Sequence, residues 1–176
     1  MVETAILVPL VILITFGLIE FSSAYQSSST AASTVRSAAR TASAEAKLPN
    51  FATDAAAAAA TALQTIPSNE PLELWVYNAN ASGHPMPVGN TSFSTCLTQC
   101  IKYAWLPAQK KFDTANPTGS GWDYLTMQAC NATQWDSVGV YLKLRHRYIT
   151  NLFGATIDLA DHAVFRLEPA PTQLCG

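Results

Sequence analysis

Between Glu3 and Glu20 lie sixteen consecutive uncharged residues, TAILVPLVILITFGLI, almost at the start of the chain. Such a run leaves few folding options. As a helix at ~1.5 Å per residue it covers roughly 24 Å, a little short of a ~30 Å hydrocarbon core. Met1, Val2 and Phe21 extend it to a sufficient length. Pro9 lacks an amide donor and crowds the preceding turn, so it is expected to interrupt or kink the helix. Gly17 is a second soft spot.

The flanks decide how the run is used. A cleavable signal peptide begins with a basic segment and ends in a small-residue cleavage site, and no Lys or Arg precedes Arg36. A plain membrane anchor would be oriented by Arg36, Arg40 and Lys47, which would keep the C-terminal part in the cytoplasm. That conflicts with the cysteines considered below. A basic leader once preceding Met1, and since removed, resolves the conflict. Glu3 is then explained as the partner of the Met1 amine of a neighbouring copy, because a bare carboxylate in hydrocarbon is costly. The alternative is a charge that favours the positive end of its own helix, worth ~0.3–1 kcal/mol.

Charged residues make up 12% of the chain, against about a quarter in an ordinary soluble domain. Part of the surface is therefore expected to meet protein or membrane. A net charge of −2 argues against nucleic acid as a partner and gives no basic footprint for an anionic membrane surface. Cys96, Cys100, Cys130 and Cys175 all lie in the C-terminal half. An even count downstream of a membrane-type segment suggests disulfides formed in an oxidising compartment, in any of three pairings. Free thiols and a metal site are the rival readings, and no second CxxC or HxxxH completes a metal set around Cys96 and Cys100.

The residues also carry a resemblance. VETAILVPLVILITFGLIEF resembles the start of the TadE/TadG-like family of tight-adherence pseudopilins, with Val2, Glu3, Ala5, Pro9, Gly17, Glu20 and Phe21 filling the pattern. VGVYLKLRHRYITNLFG and LADHAVFRLEPAP, with Arg166, Glu168 and Pro169, are similar to that family's closing hairpin. The likeness covers the two ends, about a third of the chain, and residues 48–137 lie outside it. It implies a type IV filament-like subunit matured by a prepilin peptidase and exported by a secretion-ATPase machine. The subunit would be anchored in the inner membrane before assembly and lie in an extracellular pilus afterwards. One departure is the acid's place: third here, fifth in mature type IV pilins.

Residues 22–47 are mostly small or hydroxylated. Small residues at spacing four (Ala24, Ser28, Ala32) let helices approach closely, and one long helix over 2–46 is expected, stopped by Pro49. A flexible Ser/Ala linker is the competing reading. A second helix is expected over 54–65, opened by Asp54 and followed by Pro67. LELWVYNAN reads as a strand, 79–95 as a loop, and 96–106 as a short helix with Cys96 and Cys100 on one face. ANPTGSGW reads as a turn-rich loop that lacks the GK[ST] of a phosphate loop. Residues 138–149 alternate, with Val138, Val140, Leu142 and Leu144 on one face and Tyr141, Lys143, Arg145 and Arg147 on a solvated one. Residues 155–168 form the antiparallel mate.

Other motifs point to little chemistry. His84, His146 and His162 sit in different elements, and Asp158 with His162 falls on a strand where the pair would not converge on a metal. No GxSxG, HExxH or Cys–His spacing nominates a catalytic residue, and no cofactor is called for. Asn80, Asn90 and Asn131 fit the N-x-[ST] acceptor pattern. The expected architecture is α+β, with a filament-core or transmembrane helix over 1–47 and a disulfide-linked head with an antiparallel sheet over 48–176. The expected function is structural rather than enzymatic: a subunit polymerising with copies of itself through Met1, Glu3, Pro9, Gly17 and Glu20, with Glu20 expected to tolerate loss of charge better than Glu3. The alternatives are a minor or initiating pseudopilin, or a single-pass envelope protein whose head binds a ligand.

Overall fold

The computed structural model describes residues 2–64, 69–130, 135–151 and 154–175, with side chains from Leu7 onward. A single helix, α1 (Val2–Ala44), runs through Pro9 without interruption. Proline at that position removes one backbone bond of a 43-residue helix, too small a loss to end it. A turn through Lys47, which takes a positive φ of 63°, leads into α2 (Phe51–Leu63). This helix starts one turn before the expected Asp54, because the Asn50 carbonyl accepts from the Asp54 amide at 2.9 Å and from the Thr53 hydroxyl at 2.9 Å. The expected stop at Pro67 lies outside the described residues.

Among the described residues six antiparallel strands follow: β1 (Asn69–Asn78), β2 (Cys100–Leu106), β3 (Lys111–Phe112), β4 (Thr118–Gly121), β5 (Ser137–Arg147) and β6 (Thr156–Arg166). They form one sheet in the order β3-β2-β1-β5-β6, with β4 paired to β2. The expected helix over 96–106 is therefore a correction. CIKYAWL is rich in β-branched and aromatic residues and pairs with β1 from Tyr77↔Cys100 to Glu73↔Ala104. The loop expected at ANPTGSGW is in part the strand β4. There Gly119 takes φ +99°, and a Cβ on it would lie 2.6 Å from the Cys100 carbonyl oxygen and 2.8 Å from Cys96 Sγ. Pro71 sits inside β1 beyond the reach of β2, whose pairing starts at Glu73, so its missing amide removes no bond on that side.

The helices cover one face of the sheet. The small face of α1 (Ala31, Val35, Ala38, Ala39, Ala42) meets the alanine face of α2 (Ala52, Ala55, Ala56, Ala59), and both join the inward residues of the sheet in one core. Leu74, Val76, Val138, Val140, Leu142 and Leu144 are all fully buried there, the alternation expected of β5. The opposite face carries a smaller cluster of Trp75, Tyr77 and Tyr141 with Phe93, in which Phe93 stacks on Tyr141 at 4.3 Å. Tyr77 lies across β5 at Gly139, where a Cβ would overlap its ring.

Two disulfides close the head, Cys96–Cys100 and Cys130–Cys175. The second fixes the C-terminal tail, which also donates from the Glu168 amide to the Ser43 carbonyl of α1 at 2.9 Å.

Candidate functional site

The candidate site is the N-terminal half of α1 and the place where it meets the head. From Leu7 to Ile19 every large apolar side chain is exposed, for example Val11 at 59% and Leu18 at 63%. From Ser27 onward the same helix is part of the head's core, with Ser27, Ala31, Thr34, Val35 and Ala38 buried. The exposed stretch belongs to a segment long and apolar enough to cross a membrane. Pro9 and Gly17 lie on it, Pro9 exposed and Gly17 half-buried. Met1 lies outside the described residues, and Glu3 is placed by its backbone in α1 only.

Glu20 marks the boundary, and its side chain is fully buried. One carboxylate oxygen accepts from the Ile149 amide at 3.0 Å, while the other accepts from the Thr150 amide and from the Thr150 hydroxyl at 2.6 Å. Three donors from the β5–β6 connection thus converge on one anion, the arrangement that makes a buried carboxylate tolerable. Two turns further along α1, Ser27 Oγ donates to the Ser23 carbonyl and lies 2.9 Å from His146 Nδ1. That nitrogen also lies 3.0 Å from the Asn69 side-chain oxygen of β1. Burial pushes the His146 imidazole below its usual pKa, and the nearby Glu20 charge opposes the shift.

Glu20, Ser27, Ala31 and Ala38 fall on one helical stripe, so spacing alone aligns the acid with the packed face rather than with the lipid-type face. Its partners, however, stand some 130 positions away in the chain, and no local pattern names them. Glu20, expected among the assembly residues and to tolerate loss of charge better than Glu3, thus bonds to the head of its own chain.

The remaining candidates are placed as follows. Asn80 uses its amide nitrogen on the Pro87 and Asn90 carbonyls and its oxygen on the Ser82 and His84 amides, so it organises the loop after β1 from within. Asn90 donates to the Pro85 carbonyl at 2.9 Å. Asn131 lies outside the described residues. On the outer face of β5, Arg145 and Lys143 meet Asp158 at 2.8 and 3.3 Å, and Arg147 reaches Glu70 at 4.0 Å. The basic face read from the sequence is thus matched by acids of β6 and β1. The Arg145 hydrogen bond and the neighbouring cations hold the Asp158 carboxyl below the usual carboxylate range. His84 and His162 approach on that face with ring centres 5.8 Å apart, and His146 is on the other face. Among the described residues no cluster of three metal-ligating side chains forms.

No curated protein and no solved structure matches the chain. The family model described as TadE-like protein matches residues 1–40, the exposed apolar half of α1 with Glu20 and the first buried turns, so this segment is similar to the start of TadE-like proteins.

Proposed function

We propose that this protein is a pilin-like subunit of a Tad-type pilus, held in the membrane by α1 and then polymerised through it. The observation that carries this reading is the division of a single helix at Glu20: apolar and uncovered before it, packed into a folded head after it. A helix apolar all round must be covered by lipid or by other helices. Membrane insertion supplies the first cover and a bundle of copies supplies the second, leaving the disulfide-closed head outside. In this scheme Met1, Glu3, Pro9 and Gly17 belong to the helix–helix interface, and Glu20 sets where the head begins. The machinery is that of type IV-like assembly: a prepilin peptidase that exposes the N-terminus and a secretion ATPase that drives extrusion, with adhesion as the task of the filament.

Glu3→Gln tests the scheme. It keeps the shape and removes the charge that would pair with a neighbour's amine and fix the register of the incoming subunit. Membrane insertion and head folding should persist, while the number of filaments per membrane-inserted subunit, counted by electron microscopy, should fall sharply. Normal filament numbers would show that the acid is only a helix-end charge. Filaments that appear only when another pilin is co-expressed would assign the chain to the minor or initiating role.

A further inference from the structure

Ile149 and Thr150, which follow β5, are held to α1 at Glu20, and that level coincides with the end of the apolar run. Ile149 donates its amide to Glu20, yet its side chain is 66% exposed. Phe21, adjacent to Glu20, is 71% exposed, and Tyr25, one turn on, is 69% exposed. Three large apolar or aromatic side chains, two from the helix and one from the β5–β6 connection, therefore stand uncovered within about one helical turn of Glu20. The height fits a membrane boundary. Residues 4–19 cover only roughly 24 Å of a ~30 Å hydrocarbon layer, and the shortfall is about four residues of helix. Extending the run through Phe21 makes up part of it and carries the boundary past Glu20, which leaves Tyr25, one turn on, in the headgroup interface where aromatic side chains are favoured.

A free carboxylate could not sit there, but Glu20 is sealed from solvent and receives three hydrogen-bond donors. Strands β5 and β6 lead away from this level, so the loop after β1 and the exposed Val88 (81%) lie at the far end of the sheet, where Asn78 pairs with Val138.

Resting on the membrane-stage part of the function proposed above, we propose that Ile149, at the start of the β5–β6 connection, makes a second membrane contact. Ile149, with Phe21 and Tyr25, dips into the interfacial layer of the lipid surface and fixes the orientation of the head on the bilayer before assembly. The contact is apolar, so it does not require anionic lipid.

The test uses the full chain, oxidised, in phosphatidylcholine vesicles at one copy per vesicle. All four cysteines are held in disulfides, so an introduced cysteine is the single reactive thiol. Ile149→Cys, Tyr25→Cys, Leu13→Cys and Val88→Cys are each labelled with an environment-sensitive fluorophore, and lipids carrying a nitroxide near the headgroup or deep in the acyl chain serve as quenchers. The expected result is blue-shifted emission and shallow-nitroxide quenching at positions 149 and 25, deep quenching at 13, and neither effect at 88. Quenching at 149 no greater than at 88, with 13 still quenched, overturns the Ile149 contact and leaves the membrane helix standing. Loss of quenching at 13 overturns the membrane-stage reading itself. A blue shift at 149 that appears only when copies are crowded assigns the patch to a second copy and overturns the lipid contact.

Discussion

Exchanging the Glu20 carboxylate for an amide would turn an NH2 toward donors that already point at it. The Ile149 amide, the Thr150 amide and the Thr150 hydroxyl all donate to Glu20, and Gln can offer an acceptor to only one side. Glu20→Gln should therefore loosen the turn from α1, lowering the melting temperature of the head and speeding hydrogen exchange at the Ile149 and Thr150 amides. Glu3→Gln should leave both readouts unchanged, since Glu3 lies more than four helical turns away. Unchanged exchange at 149 and 150 in Glu20→Gln would show that the turn is held by other contacts. On the proposed scheme the two acids of one helix have different roles, Glu3 in assembly and Glu20 in the subunit's own fold.

At the scale of elements, what was legible followed the length of the pattern. The apolar run and the small-residue face that follows it are 45 residues of consistent helical signal, and α1 appears almost as read. The alternation from Val138 to Leu144 places four side chains in the core as expected. CIKYAWL is only seven residues long, too short for its own period to separate helix from strand. Its pairing with β1 decides the outcome. TGSG carries no side-chain pattern at all, and β4 exists because glycine backbones can approach β2 beside the Cys96–Cys100 bridge.

The larger ring is the one that matters for stability. Cys130 and Cys175 are 45 positions apart and Cys96 and Cys100 only 4. In the chain-entropy model this corresponds to about 4 against about 2 kcal/mol. Removing the long bridge in Cys130→Ala/Cys175→Ala should cost about 2–5 kcal/mol, measured by guanidinium unfolding. It should also reduce exchange protection at the Glu168 amide, where the tail bonds to α1. A midpoint equal to that of the parent would mean that the tail is held by packing alone.

For the whole molecule, the docking of head to helix is tied to pH through His146. This imidazole is fully buried between α1 and the sheet, faced by Ser27 and Glu20 from α1, by Asn69 from β1 and by the Tyr148 ring at 5.4 Å. Burial lowers its pKa in the folded state, whereas in the unfolded chain it titrates near the ordinary value of about 6.5. Below about pH 6.5 the unfolded chain takes up a proton that the folded one does not, so stability falls as pH drops through that value toward the folded pKa. Other groups act on the same curve, Asp158 and Glu45 among them. Asp158, held low by Arg145 and Lys143, costs stability only once the pH falls below the unfolded carboxylate range of about 4. Glu45 acts in the opposite sense, because burial and the adjacent Asp54 raise its pKa and acid relieves its charge. The measurement is therefore a difference: denaturant unfolding of the parent and of His146→Gln at pH 7, 6 and 5, in which Glu45 and Asp158 contribute equally to both and cancel. The parent should lose more stability than the variant between pH 7 and pH 5. Parallel curves would mean that His146 accepts its proton without leaving its site, with the buried Glu20 carboxylate compensating the charge.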